Sequence, residues 1–286
     1  MSVFTLPAVQ SNIFTAGTCE SYVTLNVTLR FPVSGKWYYL LAIKYGGRIM
    51  EFVISHLVKS YGSKQVLKDV DFVFEEGKIY GLLGRNGSGK TTLFNCINSD
   101  IDYNSGSFYL RENKDFEEQI KLLPEDVGYL VSTPTVPEFM TGREFLKFFI
   151  EVHEEVKPDK TIDEYFDYMM IPVEDRDSLL KDYSHGTKNK MQMLLNIIAS
   201  PKLMLLDEPL TSLDVIIAEE MKNVIRSQKQ GRITIFSTHL LDVALDLCDE
   251  IVLLHNGRLE PIDKSNLGDS DFKNKIIAAL KDGDDA

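Results

Sequence analysis

A glycine-rich loop at residues 84–92 constrains the fold of this chain more than any other stretch. The loop follows the short apolar run Ile79–Leu83 and leads into a segment with an apolar helical face, Thr92–Ile97. Its pattern, G-x-x-x-x-G-K-[ST], is filled by Gly84, Gly89, Lys90 and Thr91. Because glycines lack Cβ atoms, the backbone N–H groups can close around a phosphate chain. The sequence therefore predicts a buried strand, a phosphate-binding loop and a helix, in that order.

All nine loop residues are candidates for contact with the phosphates of a nucleotide. They are Gly84, Arg85, Asn86, Gly87, Ser88, Gly89, Lys90, Thr91 and Thr92. We expect Lys90 to reach the β and γ phosphates and Thr91 to hold Mg²⁺, while the helix that starts near Gly89 adds its positive N-terminal dipole. A plain strand-to-helix turn could have the same composition, but the flanking strand and helix favour phosphate binding.

Two acidic residues, Asp207 and Glu208, follow a second apolar run, Leu203–Leu206. A buried strand that ends at Asp207 would place an oxygen ligand beside the Mg²⁺ held by Thr91. Glu208 could then accept a proton from the attacking water and act as general base. The alternative is a pair of solvated acids after a core strand, which the phosphate loop makes the weaker interpretation.

Composition excludes several classes of protein. A formal charge of −12 and a pI near 4.9 weigh against a protein that grips nucleic acid, since phosphate contacts need a basic surface. The longest apolar run, Trp37–Ile43, is far shorter than the roughly 20 residues of a membrane-spanning helix. The three cysteines form no C-x-x-C pair, and no secretory signal pattern opens the chain. We expect a protein of the reducing cytoplasm.

An alternation of strands and helices from Glu51 onward predicts one α/β domain over residues 50–264 with a parallel or mixed sheet. The remaining strand candidates are Phe52–Leu57, Val66–Phe74, Ser107–Leu110, Val127–Val131, Arg232–Phe236 and Glu250–Glu260, the last with a hairpin turn at His255-Asn256-Gly257.

Residues from about 133 to 200 read as a helical insertion between two halves of the sheet. Thr141 and Glu144 have the spacing of a capping box, which predicts a helix start. A later helix should bury one face, formed by Met191, Leu194, Leu195 and Ile198.

The two ends of the chain differ from this domain. In residues 1–49 we expect strands at Tyr22–Arg30 and Trp37–Tyr45, a turn at Phe31–Gly35 and a hinge at Gly46-Gly47. This segment is either a genuine strand-rich extension or an addition from an expression vector or an early start site. Residues 265–286 form an acidic tail with one short amphipathic stretch, Phe272–Leu280.

On these motifs the chain resembles the nucleotide-binding subunits of ATP-binding cassette (ABC) transporters from about Glu51 to Leu259. The resemblance implies an α/β fold: a P-loop NTPase (RecA-like) core with an antiparallel β subdomain and an inserted helical subdomain. It also implies that Tyr61 stacks on adenine and that His239, in Ser237-Thr238-His239, contacts the γ phosphate. Thr211–Asp214 matches the loop that couples the two sites of a dimer.

The stretch Asp182–Thr187 stands at the family's signature and is most similar to the Tyr-Ser-x-Gly version of many exporters. Ser184 and Gly186 would bind ATP held by a second copy of the fold, although Ser184 could also be a simple helix N-cap. Two positions depart from the family pattern. His185 replaces a signature glycine, and Ser132 stands where Gln is usual, so we expect Ser132 to reach Mg²⁺ or the water only through another water.

The resemblance implies an ATPase with Lys90, Glu208 and His239 as catalytic residues and with ATP and Mg²⁺ as ligands. Two cassettes, as a homodimer or a heterodimer, would sandwich two ATP molecules and drive a separate transmembrane permease, with this chain at the cytoplasmic face of the cell membrane through that partner. Export is the expected direction, and nucleic acid is not an expected partner. The alternatives are a soluble ABC-type ATPase associated with ribosomes or DNA, and a module that binds ATP without cutting it.

Overall fold

A computed structural model describes residues 28–33, 36–41, 49–112, 118–153, 156–264, 276 and 280. The chain divides into two compact units, Met1–Arg48 and Ile49–Ala286. In the first unit, strands β1 (Thr28–Val33) and β2 (Lys36–Leu41) pair antiparallel.

The predicted turn at Phe31–Gly35 is wrong for its first three residues, because Phe31, Pro32 and Val33 belong to β1. A proline is tolerated where one side of a strand is an unpaired edge, as in a two-stranded sheet. Most of the predicted strand Tyr22–Arg30, the end of the second strand, the Gly46-Gly47 hinge and most of Phe272–Leu280 lie outside the described residues.

The second unit alternates strands and helices as the sequence predicts. Its strands are β3 (Met50–Tyr61), β4 (Lys64–Glu75), β5 (Ile79–Leu83), β6 (Ser105–Glu112), β7 (Ile120–Lys121), β8 (Val127–Leu130), β9 (Leu203–Asp207), β10 (Ile233–Thr238), β11 (Glu250–His255) and β12 (Arg258–Ile262). Its helices are α1 (Lys90–Ile97), α2 (Gly142–Val152), α3 (Ile162–Tyr168), α4 (Val173–Arg176), α5 (His185–Ala199), α6 (Val215–Ser227) and α7 (Leu241–Leu247).

Of the described strands, six form the central sheet in the order β12-β11-β5-β10-β9-β8. All neighbouring pairs are parallel except β11 and β12, which form the predicted hairpin around Asn256-Gly257. Successive residues of β9 enter different hydrophobic clusters, Leu203 and Leu205 on one face and Met204 and Leu206 on the other. A strand covered on both faces is apolar throughout, which explains its unbroken apolar run.

A second, antiparallel sheet of order β4-β3-β6-β7 covers one face of the central sheet. Phe52 and Phe74 of this sheet join one hydrophobic cluster with Tyr80 of β5 and Phe94 of α1. The rings of Phe74 and Tyr80 meet edge to face with centroids 4.9 Å apart, a favoured geometry for aromatic pairs. The antiparallel subdomain is therefore fixed to the strand that precedes the phosphate loop.

The helical block α2–α5 covers the other face. The predicted capping box is confirmed, since Glu144 N–H donates to Thr141 Oγ1 at 3.2 Å and Thr141 N–H donates to Glu144 Oε2 at 2.9 Å. In α5, Met191, Leu194 and Ile198 are buried, as expected. Leu195 is only half-buried and lines a surface groove. Among the described helices, none is long and apolar enough to cross a bilayer.

Two buried cysteines allow a chemical test of this packing. Burial raises the pKa of the Cys96 thiol to about 11 and that of Cys248 to about 12. Since the thiolate is the reactive form, at pH 8 about one Cys96 thiol in 1,000 is ionised in the folded protein. In a Cys19→Ser variant, we expect Ellman's reagent to label Cys96 and Cys248 quickly only after denaturation. Rapid labelling of the native variant would contradict this packing.

Candidate active site

The phosphate loop lies at the carboxyl end of β5 and leads into α1. Packing requires two of its glycines, Gly84 and Gly89. A Cβ atom on Gly84 would lie 2.6 Å from Ser88 Oγ and 3.1 Å from the Leu254 carbonyl oxygen. Gly89 is the N-cap of α1 with φ 110°, a backbone conformation that residues with a side chain rarely adopt. The first N–H groups of α1 therefore face the loop without intrahelical partners, as an anion site requires.

A cavity of about 440 Å³ surrounds this loop. Loop residues Arg85 to Thr92 and Glu208 form part of its lining. The lining also contains Tyr61, half-exposed at the end of β3, on which a purine ring could stack. The motifs did not identify the rest of this wall, which consists of Lys64, Gln65, Val66, Lys68, Leu254, His255, Asn256 and Gly257.

Lys90 is almost fully buried and points back into the loop. Its Nζ donates to the carbonyl oxygens of Gly84 at 2.8 Å and Arg85 at 3.2 Å, and lies 3.4 Å from Glu208 Oε1. The loop thus holds a positive charge at the base of the cavity. A nucleotide phosphate would meet this ammonium together with the backbone N–H groups of the loop.

Asp207, the last residue of β9, is brought to the start of α1 by the strand order. Thr91 Oγ1 donates to Asp207 Oδ2 at 2.8 Å, and Ser237 Oγ donates to Asp207 Oδ1 at 2.5 Å. A hydroxyl and a carboxylate are the oxygen ligands that Mg²⁺ prefers, so Thr91 and Asp207 fit the ion that the family implies. Ser237 orients this carboxylate, a role that the sequence analysis did not assign.

Glu208 sits in a constrained position beside Asp207. Its φ of 48° is unusual for a residue with a side chain, and its N–H donates to Ser237 Oγ at 3.0 Å. Glu208 Oε2 accepts from Thr211 Oγ1 at 3.0 Å and lies 2.9 Å from His239 Nδ1. Burial raises the pKa of this carboxyl, but the bond to His239 and the charge of Lys90 outweigh burial, so the pKa is lower than usual. Glu208 is therefore ionised at neutral pH.

Ser132 lies in a second cavity of about 370 Å³, which shares the lining residues Asn86, Thr91 and Glu208 with the first. Thr91, Asp207 and Glu208 line it together with Ser132 and His185. The remaining wall is formed by Asn86, Thr133, Thr211 and Ser212. The fold thus brings the predicted metal ligands and the predicted base to one polar space.

Comparisons with known proteins agree with this geometry. The protein family described as ABC transporter matches residues 67–211. The uncharacterized ABC transporter ATP-binding protein YdbJ of Bacillus subtilis (strain 168) is 34% identical over 212 residues, which are 72% of this chain and 67% of YdbJ. The chain belongs to the ABC transporter ATP-binding protein family.

Other ABC proteins give the same result. The bacitracin transport ATP-binding protein BcrA of Enterococcus faecalis is 30% identical over 231 residues, 79% of this chain and 73% of BcrA. A solved structure described as the ATP binding subunit of an ABC transporter superposes with a TM-score of 0.66, covering 80% of this chain and 99% of that one at 24% identity. The predicted α/β P-loop NTPase fold and the predicted ABC ATPase activity are confirmed.

The ABC signature segment lies at the start of α5, and His185 is the residue of this segment that lines the second cavity. Ser184 is the N-cap of α5, and its Oγ accepts from Thr187 N–H at 3.1 Å. Among the described residues that line the loop cavity, neither Ser184 nor Gly186 is present. Gly186 instead packs against α6, where an added Cβ would lie 2.7 Å from Ile217 Cδ1.

This contact predicts the effect of substituting the buried signature glycine. In Gly186→Ala, the methyl group must displace Ile217, and we expect a loss of about 1–3 kcal/mol in the free energy of unfolding. Adding Ile217→Val removes the conflicting Cδ1 atom, so the double variant should recover most of that loss. Urea denaturation of both variants and of Ile217→Val alone measures this, and equal losses in Gly186→Ala and the double variant would contradict it.

Proposed function

We propose that this chain hydrolyses ATP at the cavity around the phosphate loop and, as one of a pair of cassettes, powers a membrane exporter. The proposal rests on one observation. Lys90 and Thr91, at the start of α1, contact Glu208 and Asp207, which lie at the end of β9. The loop N–H groups and Lys90 would bind the β and γ phosphates, and Tyr61 would stack on adenine.

Glu208 is proposed to accept the proton of the attacking water. Glu208 lines both cavities. Thr211 and His239 contact its ionised carboxylate, and the Ser237 hydroxyl accepts a hydrogen bond from its backbone N–H. Thr91 and Asp207 would hold Mg²⁺, with Ser132 nearby, and the chemistry this ion supplies is neutralisation of charge on the phosphate oxygens. His239 would contact the γ phosphate once its contact with Glu208 rearranges.

The signature residues support the proposal of a pair. Ser184 is exposed at the N-terminus of a fifteen-residue helix, and the loop cavity of its own chain does not include it. Helix N-termini attract phosphate. The start of α5 would therefore bind the γ phosphate of ATP held by a second cassette, identical or homologous. ATP would favour the closed pair because it contacts both copies, and hydrolysis would release them.

The partner that receives this movement is proposed to be a separate transmembrane permease, which holds the chain at the cytoplasmic face of the membrane. A groove of about 330 Å³ runs between β8 and helices α2 and α5, lined in part by Tyr129, Phe149 and Leu195. Beside it, Phe148 and Val152 are half-exposed one turn apart on α2. An apolar surface of this kind suits a helix of the permease. The name of BcrA, a transport protein, supports this choice of partner.

The Phe148→Asp variant tests the permease proposal. In the complex the new carboxylate would be buried against the permease. It should therefore reduce co-purification with the native membrane subunit at least about tenfold, while the purified variant keeps its basal ATP turnover. Ile120→Asp, on the antiparallel sheet, is the matched control. The direction of transport is measured in inverted vesicles that contain the complex. ATP-driven uptake of cargo into these vesicles corresponds to export from the cell. Co-purification with ribosomes or DNA in place of a membrane subunit would favour the soluble ATPase.

A further inference from the structure

The aromatic ring proposed to stack on the base of the nucleotide belongs to a contact network of its own. Tyr61 is the last residue of β3 and is half-exposed in the lining of the loop cavity. A half-exposed side chain has several staggered rotamers available to it. Ordering such a side chain only when the ligand arrives costs binding free energy. A contact that holds the ring beforehand therefore strengthens binding.

Lys59, two residues earlier on β3, contacts this ring directly. Its Nζ lies 4.7 Å from the centroid of the Tyr61 ring. This distance is within the roughly 6 Å over which the face of an aromatic ring attracts an ammonium. Lys59 is half-buried, which limits the competition of water for its charge. The contact therefore restrains the orientation of the ring in the free protein.

The ammonium of Lys59 is held from a second side. Its Nζ donates to the carbonyl oxygen of Asp102, in the loop that joins α1 to β6. The same loop binds the β3 backbone on either side of this lysine. Asn104 N–H donates to the Val58 carbonyl oxygen at 2.8 Å, and Ser60 N–H donates to Asn104 Oδ1 at 2.7 Å. One loop thus fixes both the lysine and the end of the strand that carries the ring.

Lys59 is not part of the lining of the nucleotide cavity. Among the described residues that line this cavity, Tyr61 and Lys64 are present and Lys59 is absent. The ammonium at the base of the cavity is that of Lys90, which the loop carbonyl oxygens hold. Lys59 therefore contacts the ring from outside the cavity, away from the phosphates.

We propose that Lys59 is a positioning residue for the base of the nucleotide. Its ammonium holds the Tyr61 ring in the orientation on which a purine stacks, and it leaves the cavity face of the ring open. Lys59 acts through Tyr61 and does not contact ATP. This proposal deepens the proposed ATP binding and rests on it, because it needs a base stacked on Tyr61.

The first test compares ATP with inorganic tripolyphosphate, which has the phosphates without the base. In calorimetric titrations, Lys59→Ala should raise the dissociation constant for ATP about threefold, in the range for ordering one side chain. The dissociation constant for tripolyphosphate should not change. Lys59→Arg, which keeps a cation over the ring, should bind ATP within about 1.5-fold of wild type. Lys121→Ala, at an exposed lysine of β7 in the same sheet, is the control and should bind both ligands normally.

A double-mutant cycle tests whether the effect passes through the ring. Tyr61→Ala should raise the dissociation constant for ATP about tenfold, in the range for loss of one stacked base. In that background Lys59→Ala should cost less than about 1.5-fold, because no ring remains to be held. In steady-state hydrolysis, Lys59→Ala should raise KM about threefold and keep kcat within about 1.5-fold of wild type, since the base takes no part in the chemical step.

The outcomes separate this inference from the proposed function. Wild-type protein without ATP hydrolysis would refute the proposed function itself, and normal ATP affinity in Tyr61→Ala would refute the proposed stacking. Weak binding by Tyr61→Ala with normal binding by Lys59→Ala would refute only the role of Lys59.

Two further results would overturn the role of Lys59. Equal losses of ATP and tripolyphosphate affinity in Lys59→Ala would show that its charge acts on the phosphates. Equal losses from Lys59→Ala in the wild-type and Tyr61→Ala backgrounds would show that it does not act through the ring. Thermal unfolding of each variant ensures that weaker binding is not a loss of folded protein.

Discussion

Replacing Glu208 by Gln should lower kcat for ATP hydrolysis at least about 100-fold, since a positioned general base contributes roughly 10²–10⁴-fold. Gln has the same shape as Glu and can still accept a bond from Thr211, but it cannot take the proton of water. Lys90 keeps its two carbonyl partners in the loop, so we expect the dissociation constant for ATP to change less than about threefold. Turnover assays and equilibrium nucleotide binding measure the two quantities separately.

The same variant tests the proposed pairing. Because bound ATP is not consumed, Glu208→Gln with ATP should elute from a sizing column as a dimer and without nucleotide as a monomer. Glu151→Gln, an exposed acid on α2, is the matched control and should hydrolyse ATP at the wild-type rate. Normal hydrolysis by Glu208→Gln would remove Glu208 as the base and favour a different proton acceptor.

The parts of this site that the sequence predicts are those whose chemistry is local. The phosphate loop needs backbone conformations that only glycine adopts without strain, as at Gly89. The glycines in the sequence are therefore enough to locate the loop. Asp207 and Glu208 stand at the end of an apolar strand, and the carboxyl ends of parallel strands meet at one edge of a sheet. The capping box at Thr141 is equally local, because its four residues complete it.

The parts that the sequence does not predict depend on strand order. Asn256 and Lys64 line the nucleotide cavity because β11 lies beside β5 and β4 lies over the loop, and no motif encodes those neighbours. Ser237 belongs to a recognised motif, yet its bonds to Asp207 and Glu208 arise from the pairing of β10 with β9. A polar residue at the end of an apolar strand is the only local signal for such a role.

The exposure of Leu195 shows the same limit within a helix. Its spacing from Met191 and Ile198 places it at the border of the apolar face of α5. At this border, the helical period of 3.6 residues does not distinguish a core position from one that lines a surface groove. The neighbouring β8 and α2 leave the groove open, so Leu195 contacts both the core and the proposed permease surface. The difference between a buried and a half-buried position is thus set by tertiary packing and not by the helix.

Lys90→Met should have the largest effect on nucleotide affinity. Met matches the length of Lys without its charge, so the loop would lose the only buried ammonium described at the base of the cavity. We expect the dissociation constant for ATP to rise about 100-fold, which corresponds to about 2.7 kcal/mol of binding free energy. Isothermal titration calorimetry measures this change, and ATP should no longer raise the Tm of the variant as it raises that of the wild type.

Lys147→Met, on the exposed side of α2, is the matched control and should bind ATP as the wild type does. The free Lys90→Met protein should remain folded, because a Met side chain is well tolerated where Lys90 is buried. ATP binding within threefold of wild type would show that the loop N–H groups and the α1 dipole suffice without the ammonium. The two single variants, Lys90→Met and Glu208→Gln, separate two functions of one cavity. We expect Lys90 to determine nucleotide binding and Glu208 to determine nucleotide hydrolysis.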